Sequence, residues 1–519
     1  MTAHPRGRGP VAAWWWWPPA AGVAFALAFP PLDLLPLALV GLWPLFAFLD
    51  RPGALGLREA FGGGYLFGLA FFGALLYWIA GLTGFSVMAV PAYVASVLVL
   101  AFNGGLTALG VAIARRRGVP LVVSFPLAWT AVEWLRSFGD LGFTWAVAGD
   151  ALASYPLLIQ GAELGGVWLL GLVLTALSAL LYRLARPAAG TRLATVAVAA
   201  VLLAALVPAY GALRLRDLEA RVDAWPTLRV AAVQPNVPQE MKWDPAFVDE
   251  TYRRLGDLTL RAARHDPELV VWPESAIPGY LRYDPAAFSL VTDLSKRIEA
   301  PIFTGTNDAD TLAGRSGADP GDYRVYNAAY LVAGDSILPG RYAKRRLVPV
   351  AERVPFLPGL LSGFFERLSS WTGQFEPGTG WTTWSVDGWR FGVLICYESV
   401  FPASSRALVR NGADFLLNIT NDAWFGRTAA PYQHASHLAL RSVENRVSFL
   451  RAANTGISGW VDPLGRYRRR TALYAPAIVV ADLPMPGIET PYTRWGPWVP
   501  VASLLALVAG SLVGPGRRR

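Results

Sequence analysis

The sequence is short of the residues that most often carry chemistry or staple a fold. One cysteine, Cys396, stands in 519 residues, so no intrachain disulfide can form. Four histidines leave little material for a structural metal site. His434 and His437, three apart and able to share a helix face, have neither an HExxH motif nor a cysteine partner beside them. No serine sits in a GxSxG elbow, which removes support for a serine hydrolase. Lysine is nearly absent: Lys242, Lys296 and Lys344 are the only three among 46 basic residues. Charged residues make up 16% of the chain and apolar residues 54%, far from an ordinary soluble protein. The net charge of +9 does not point to nucleic acid, because the arginines fall at intervals between long apolar runs. That pattern suits membrane topology better than a phosphate-binding surface.

Residues 1–221 read as a membrane domain. Apolar stretches lie near 12–29, 33–49, 60–82, 87–113, 120–138, 162–182 and 191–210, most of them long enough for a ~30 Å hydrocarbon core. Pro18 and Pro19 interrupt the first, and the second is short. The Trp14–Trp17 run suits an interfacial aromatic belt. No small-residue cleavage site follows the first segment at a convincing distance, so it reads as an anchor. Arginines gather in alternate loops: Arg6 and Arg8, Arg51 and Arg58, Arg115–Arg117, then Arg183, Arg186 and Arg192. The positive-inside rule therefore places the N-terminus in the cytoplasm and everything after the seventh segment outside. A last apolar run, 496–514, ends in Arg517–Arg519 and returns the chain to the cytoplasm, for eight transmembrane helices in all.

Between the last two crossings the texture changes. Over 222–490, short β-rich runs alternate with polar helical segments: LRVAAVQ at 228–234, LVVWPES at 269–275, PIFTGT at 301–306, NAAYLVAG at 327–334, RFGVLICYES at 390–399 and ADFLLNITN at 413–421. Thr251–His265 and Gln433–Asn445 read as helices. This is an α/β pattern of single-domain size, followed by the C-terminal helix and basic tail at 491–519.

Cys396 closes one of these buried strands. Read alone it is either a small buried hydrophobe or a nucleophile at a strand end. A nucleophile needs a base and an electrophilic partner. Glu274 closes the strand LVVWPES amid Trp272 and Pro273, where desolvation would raise a carboxylate's proton affinity. Lys344 supplies a compact positive point charge. Taken singly, each is equally an ordinary ion-pair partner.

Together Glu274 in WPES, Lys344 in YAKRRLVPVAE and Cys396 in ICYES resemble, in that order, the Glu-Lys-Cys triad of the nitrilase, or carbon–nitrogen hydrolase, superfamily. The stretches AAVQPNVPQEMKWD (231–244), LNITNDAWFG (417–426), RAANTGISGWVDPLGR (451–466) and GFTW (142–145) extend the likeness. Joined to the membrane frame, the chain is similar to the bacterial apolipoprotein N-acyltransferase family. The resemblance implies an αββα sandwich outside the inner membrane, in which Cys396 attacks the sn-1 ester of a phospholipid and forms a thioester. The acyl chain then passes to the amino group of a diacylglyceryl-modified apolipoprotein. It further implies Glu274 as base, Lys344 and the Tyr397 N–H at the oxyanion, Glu352 supporting Lys344 and Glu398 supporting the nucleophile. Trp243 and Trp424 would lie near the lipid entrance, with Trp145 of GFTW a further supporting residue. Phospholipid, apolipoprotein and bilayer are the partners implied, with no cofactor and no metal. The alternative is a membrane-tethered amidase or nitrilase with water as acceptor. A non-catalytic transporter or receptor has no use for the aligned triad.

Two further features stand outside the motif. Residues 357–371 place Leu357, Leu360, Leu361, Phe364, Phe365, Leu368 and Trp371 at helical spacing, either lying in the bilayer interface or packed on the domain's own core. Glu133 and Arg136, three apart in the fifth apolar segment, form a candidate charged pair.

Overall fold

The structure, a computed structural model, describes residues 11–51, 55–84, 88–312, 322–349, 351–353 and 375–513. The stripe at 357–371 lies outside the described residues. The N-terminal part is helical. Among the described residues, three helices are long and apolar enough to cross a membrane: Ala89–Arg116, Ala162–Ala185 and the run Leu193–Ala224. Leu35–Leu49, Leu121–Leu135 and Trp498–Leu512 are apolar but shorter. Of the eight crossings read from hydropathy, helix length and composition alone support three among the described residues. Local chemistry accounts for part of the difference. Segment 33–49 divides at Gly41–Leu42 into Leu35–Val40 and Trp43–Leu49, each opening on a proline in its first turn. The helix in segment 12–29 covers only Trp17–Ala26. Leu57–Leu75 carries five glycines, which dilute its hydropathy but let it pack closely. A Cβ on Gly64 would stand 2.2 Å from the Gly104 carbonyl oxygen on the neighbouring helix, so backbone meets backbone there.

Many apolar side chains of these helices face outward. Val198, Val201, Leu202, Leu206 and Leu213 are exposed on Leu193–Glu219, as are Leu505, Val508 and Leu512 on Trp498–Val513. So much contiguous exposed apolar surface is what a bilayer covers, and the chain is a membrane protein.

The second part is a four-layer sandwich. One sheet runs in the order 477–484, 227–234, 269–271, 302–311, 323–333, 336–337, with 277–280 and 342–343 paired to its side. The other runs 467–470, 459–461, 448–453, 415–420, 389–395, 383–386. Alternation of period two sorts the side chains. Leu228, Val230 and Ala232 meet Val393, Ile395, Leu417 and Ile419 between the sheets. Ala231 and Val233 face the other way, under the helices Val248–Ala263 and Pro285–Ile298. On the far side, Leu394, Leu416 and Phe449 share one core with Leu438 and Val443 of the helix Ala430–Asn445 and with the apolar helices.

That shared core fixes the sandwich to the membrane helices. The helix Ala162–Ala185 is broken at Gly165 and Gly166, the latter at φ 72°, which turns the Val167 N–H toward Glu444 at 2.8 Å. A side chain at Gly166 would also strike the Tyr492 ring, 2.6 Å from its Cβ. Arg446, wholly buried, meets Glu163 at 2.7 Å beside this break.

Candidate active site

Three strand ends and one loop converge at the C-terminal edge of the two sheets. The strand Trp389–Ile395 delivers Cys396, whose φ of +52° is left-handed. A non-glycine residue there costs ~1–2 kcal/mol and persists only where its surroundings hold it. The Cys396 carbonyl accepts from His434 Nε2 at 3.0 Å and from the Ser399 hydroxyl at 3.0 Å. Two residues on, the fully buried Glu398 carboxylate accepts the N–H groups of Ile395 (2.8 Å), Arg345 (2.8 Å) and Arg346 (3.2 Å). The Tyr342 hydroxyl donates to it at 2.9 Å. Glu398 thus ties the Cys396 turn to the loop that carries Lys344.

Glu274 and Lys344 are in contact. Glu274 Oε1 lies 3.3 Å from Lys344 Nζ and accepts from Asn327 Nδ2 at 2.8 Å, while Oε2 accepts from the Asn421 N–H at 2.9 Å. Lys344 Nζ also donates to Glu352 Oε1 at 2.8 Å, and Glu352 is held by Asn327 Nδ2 (3.1 Å) and the Val348 N–H (2.8 Å). The Glu274 turn presses on Gly305 of the neighbouring strand, where a Cβ would stand 2.8 Å from the Glu274 Cα.

Electrostatics follow from this packing. Burial alone would raise the Glu274 carboxyl, but the Lys344 ammonium, the Asn327 amide, Lys242 and the Asn421 N–H hold it below its usual range. Desolvation therefore does not leave Glu274 a stronger base than usual, contrary to the expectation from its apolar neighbours. Lys344 is kept charged: burial opposes, but Glu274, Glu352 and the sulfur outweigh it and hold its pKa well above the ordinary lysine value. Burial, then the negative charge of Glu274, push the Cys396 thiol up, with Lys344 opposing. The resting site is a neutral thiol beside a charged carboxylate–ammonium pair. A neutral thiol beside a carboxylate and an ammonium is an arrangement that can pass a proton to the carboxylate during attack on a carbonyl and set the ammonium against the charge that develops.

The supporting residues lie at different depths. Glu352 touches Lys344 and Glu398 braces the turn, as above. Tyr397 follows the thiol and its hydroxyl donates to the Gly142 carbonyl at 3.3 Å. Trp145 is buried, donates to Gln433 Oε1 at 2.9 Å and stacks on His434 with centroids 5.5 Å apart. Thr144 Oγ1 donates to the Val400 carbonyl at 2.8 Å. The GFTW loop thus lies directly beneath the Cys396 turn. Glu133 and Arg136 hold this loop rather than each other. Glu133 Oε1 accepts the Ala148 N–H at 2.7 Å, and Arg136 donates to the carbonyls of Trp145 (3.3 Å) and Ala146 (3.1 Å). Trp243 is 39% exposed beside Lys242, and Trp424 is half-buried in the turn Asp422–Phe425.

Reading the sequence missed several groups. Behind Cys396, His434 Nδ1 faces Asp422 Oδ1 at 3.1 Å, and Asp422 Oδ2 meets Arg451 at 2.6 Å. Burial and the nearby Arg451 hold His434 below its usual value, and with Arg451 Nη2 donating to its Nδ1 at 3.1 Å the ring places its Nε2–H on the Cys396 carbonyl. Asn327, Asn421 and Lys242 were also missed. Lys242 gave a signal as one of three lysines in the chain, and His434, one of four histidines, was weighed only as a metal ligand.

Residues 229–490 match the family model for carbon-nitrogen hydrolases, and residues 21–180 the model for the apolipoprotein N-acyltransferase N-terminal domain. An apolipoprotein N-acyltransferase of Geobacter metallireducens is 35% identical over 94% of this chain and 93% of its own length. Enzymes of the same name from Azotobacter vinelandii (35% identical, 95% and 93% covered) and Pseudomonas putida (32%, 96% and 96%) are similar to it. Among solved structures, an amidase mutant from Nesterenkonia sp. AN1 aligns with 50% of this chain and 93% of its own at a TM-score of 0.36 and 21% identity.

Proposed function

The chain belongs to the apolipoprotein N-acyltransferase family, and from that membership we propose how its site transfers an acyl chain. The Cys396 sulfur attacks the sn-1 ester carbonyl of a phospholipid while Glu274 takes the thiol proton. Lys344 Nζ and the Tyr397 N–H stabilise the oxyanion. As the C–O bond breaks, Glu274 returns the proton to the departing lysophospholipid oxygen, leaving a thioester on Cys396. The amino group of a diacylglyceryl-modified apolipoprotein cysteine then attacks the thioester, loses its proton through Glu274 and leaves as the N-acyl product. The thiol is restored, so the cycle is a ping-pong. Glu352 and Glu398 hold Lys344 and the nucleophile's turn, and the 39%-exposed Trp243 meets lipid at the mouth with Trp424.

The observation that carries this reading is the junction. The Tyr397–Gly142, Thr144–Val400 and Trp145–His434 contacts build the floor of the nucleophile's turn from the helical part. A lipid ester is therefore brought to the thiol at the edge of the apolar helices. In this reading 1–221 is the membrane domain, 222–490 the catalytic domain and 491–519 the last crossing and basic tail. Eight crossings of the inner membrane put the catalytic domain on the periplasmic face, supported by the alternating arginine loops. Purified chain given phospholipid and a synthetic diacylglyceryl-cysteine lipopeptide should yield lysophospholipid and N-acylated lipopeptide in equal amounts. Release of free fatty acid with the lipopeptide unchanged would replace this reading with hydrolysis.

A further inference from the structure

Two of the three lysines in this chain are buried at one site. Lys344 is neutralised at contact distance by Glu274 and Glu352. Lys242 is not. It closes the short helix Gln239–Lys242 with 3% of its surface exposed, and its Nζ donates to the Glu274 backbone carbonyl at 2.9 Å. Among the described residues no carboxylate lies within ion-pair distance of it. A buried ammonium whose hydrogen bond goes to a neutral carbonyl and whose nearest ring, Trp243, stands 6.0 Å away is costly, and a neutral side chain of like shape would normally be the more stable choice. Its helix is fastened to the base at a second point. Gln239 Oε1 accepts from Asn421 Nδ2 at 2.9 Å, and the Asn421 N–H is the donor on Glu274 Oε2. The carbonyl that Lys242 holds precedes Ser275, whose φ of +47° is left-handed, so the base stands on a strained turn.

We propose that Lys242 is a positioning residue for the reaction set out above: its amine pins the turn that aims the Glu274 carboxylate, and its charge acts on that carboxylate and on the Cys396 sulfur. This rests on Glu274 being the base and Cys396 the nucleophile. The groups that face Glu274 are few. Lys344 and Glu352 come from the 344–352 loop, Asn327 from the strand Tyr323–Ala333, Asn421 from the end of Phe415–Thr420, Cys396 from the end of Trp389–Ile395, and Lys242 from its helix. Lys344 and Lys242 are the two cations in this set. Burial pushes Lys242 down to about 8, with Glu274 and the sulfur opposing. Below that value it is charged and favours both the ionised carboxylate and sulfur anion. Above it that help fades.

Because Cys396 is the only thiol, its alkylation by iodoacetamide in the detergent-solubilised full chain reports the sulfur directly, without any acyl transfer. In Lys242→Met the alkylation rate at neutral pH should fall about tenfold, the usual effect of losing one nearby opposite charge, and the gap from wild type should close as the pH rises past about 8, where Lys242 itself loses its charge. Lys242→Gln keeps a donor without the charge and should lower the neutral-pH rate as Met does. Lys242→Arg keeps the charge and should stay near wild type at neutral pH. A slowing of equal size at every pH, a Gln profile equal to wild type, or an Arg rate at neutral pH lowered as far as Met's would each overturn the proposal. Melting curves establish that each variant is folded, and if the neutral variants are not, the Arg profile decides alone. Failure of the acyl-transfer reading would show separately, as absence of a phospholipid-derived adduct on the wild-type chain.

Discussion

Replacing Lys344 by arginine separates a donor to the oxyanion from a mere counter-ion. Lys344 is 1% exposed, with its Nζ 2.8 Å from Glu352 Oε1 and 3.3 Å from Glu274 Oε1. At an effective dielectric near 20, each contact is worth roughly 5–6 kcal/mol of attraction before desolvation is counted. Removing the cation, as in Lys344→Met, strands two buried carboxylates and should cost about 3–5 kcal/mol of stability. Lys344→Arg keeps the charge, so much of that stability should survive. The planar guanidinium cannot occupy the same point between two carboxylates and the thiol. Loss of one well-placed donor lowers rates by ~10²–10³, or about 3–4 kcal/mol. Formation and breakdown of the thioester pass through similar tetrahedral species, so both half-reactions should slow alike. Acyl-adduct formation on Cys396 and transfer to a lipopeptide amine are measured separately by mass spectrometry. Wild-type rates in both for Lys344→Arg would refute the reasoning and leave the oxyanion to backbone N–H groups.

Two further outcomes follow from packing and orientation. In Gly305→Ala the new Cβ meets the Glu274 Cα, the Pro273 carbonyl and the Ser275 nitrogen at 2.8 Å, all backbone. The base must shift, so transfer activity should fall by about tenfold or more while the chain stays folded by its melting curve, since a displacement of ~1 Å can cost ~10² in rate; unchanged activity would count against the placement of Glu274. In a Cys396→Ala background, a cysteine at the exposed Arg116 should be shielded from an impermeant thiol reagent in intact cells, whereas one at the exposed Asp335 should react; the reverse pattern would invert the proposed orientation.

Much of the sandwich is legible because buried strands are short and continuously apolar. The run at 228–234 corresponds to the strand Thr227–Gln234, that at 390–399 to Trp389–Ile395, and that at 413–421 to Phe415–Thr420. The strand Ser448–Ala453 escapes that test because it carries Arg451, a charge buried only because Asp422, distant in sequence, neutralises it. The short strands 336–337, 342–343 and 383–386 are too brief to show a period. Membrane segments are legible as hydropathy but not as helices, since Gly41 and the Gly165–Gly166 break divide what composition presents as continuous. At the site, motif residues announce themselves by type and strand position. Asn327, Asn421, His434 and Lys242 act through contacts across 53, 147, 38 and 32 residues of chain, and no local pattern encodes those meetings.

The central claim is a thioester on Cys396, and the mass of the intact protein tests it most directly. After incubation with phospholipid the wild-type chain should gain the mass of one acyl group, mapped to the peptide containing Cys396, and lose it when a diacylglyceryl-cysteine lipopeptide is added. Cys396→Ala should gain nothing. A wild-type chain that transfers acyl groups without ever carrying one, or a Cys396→Ala chain that still carries or transfers one, would contradict the account.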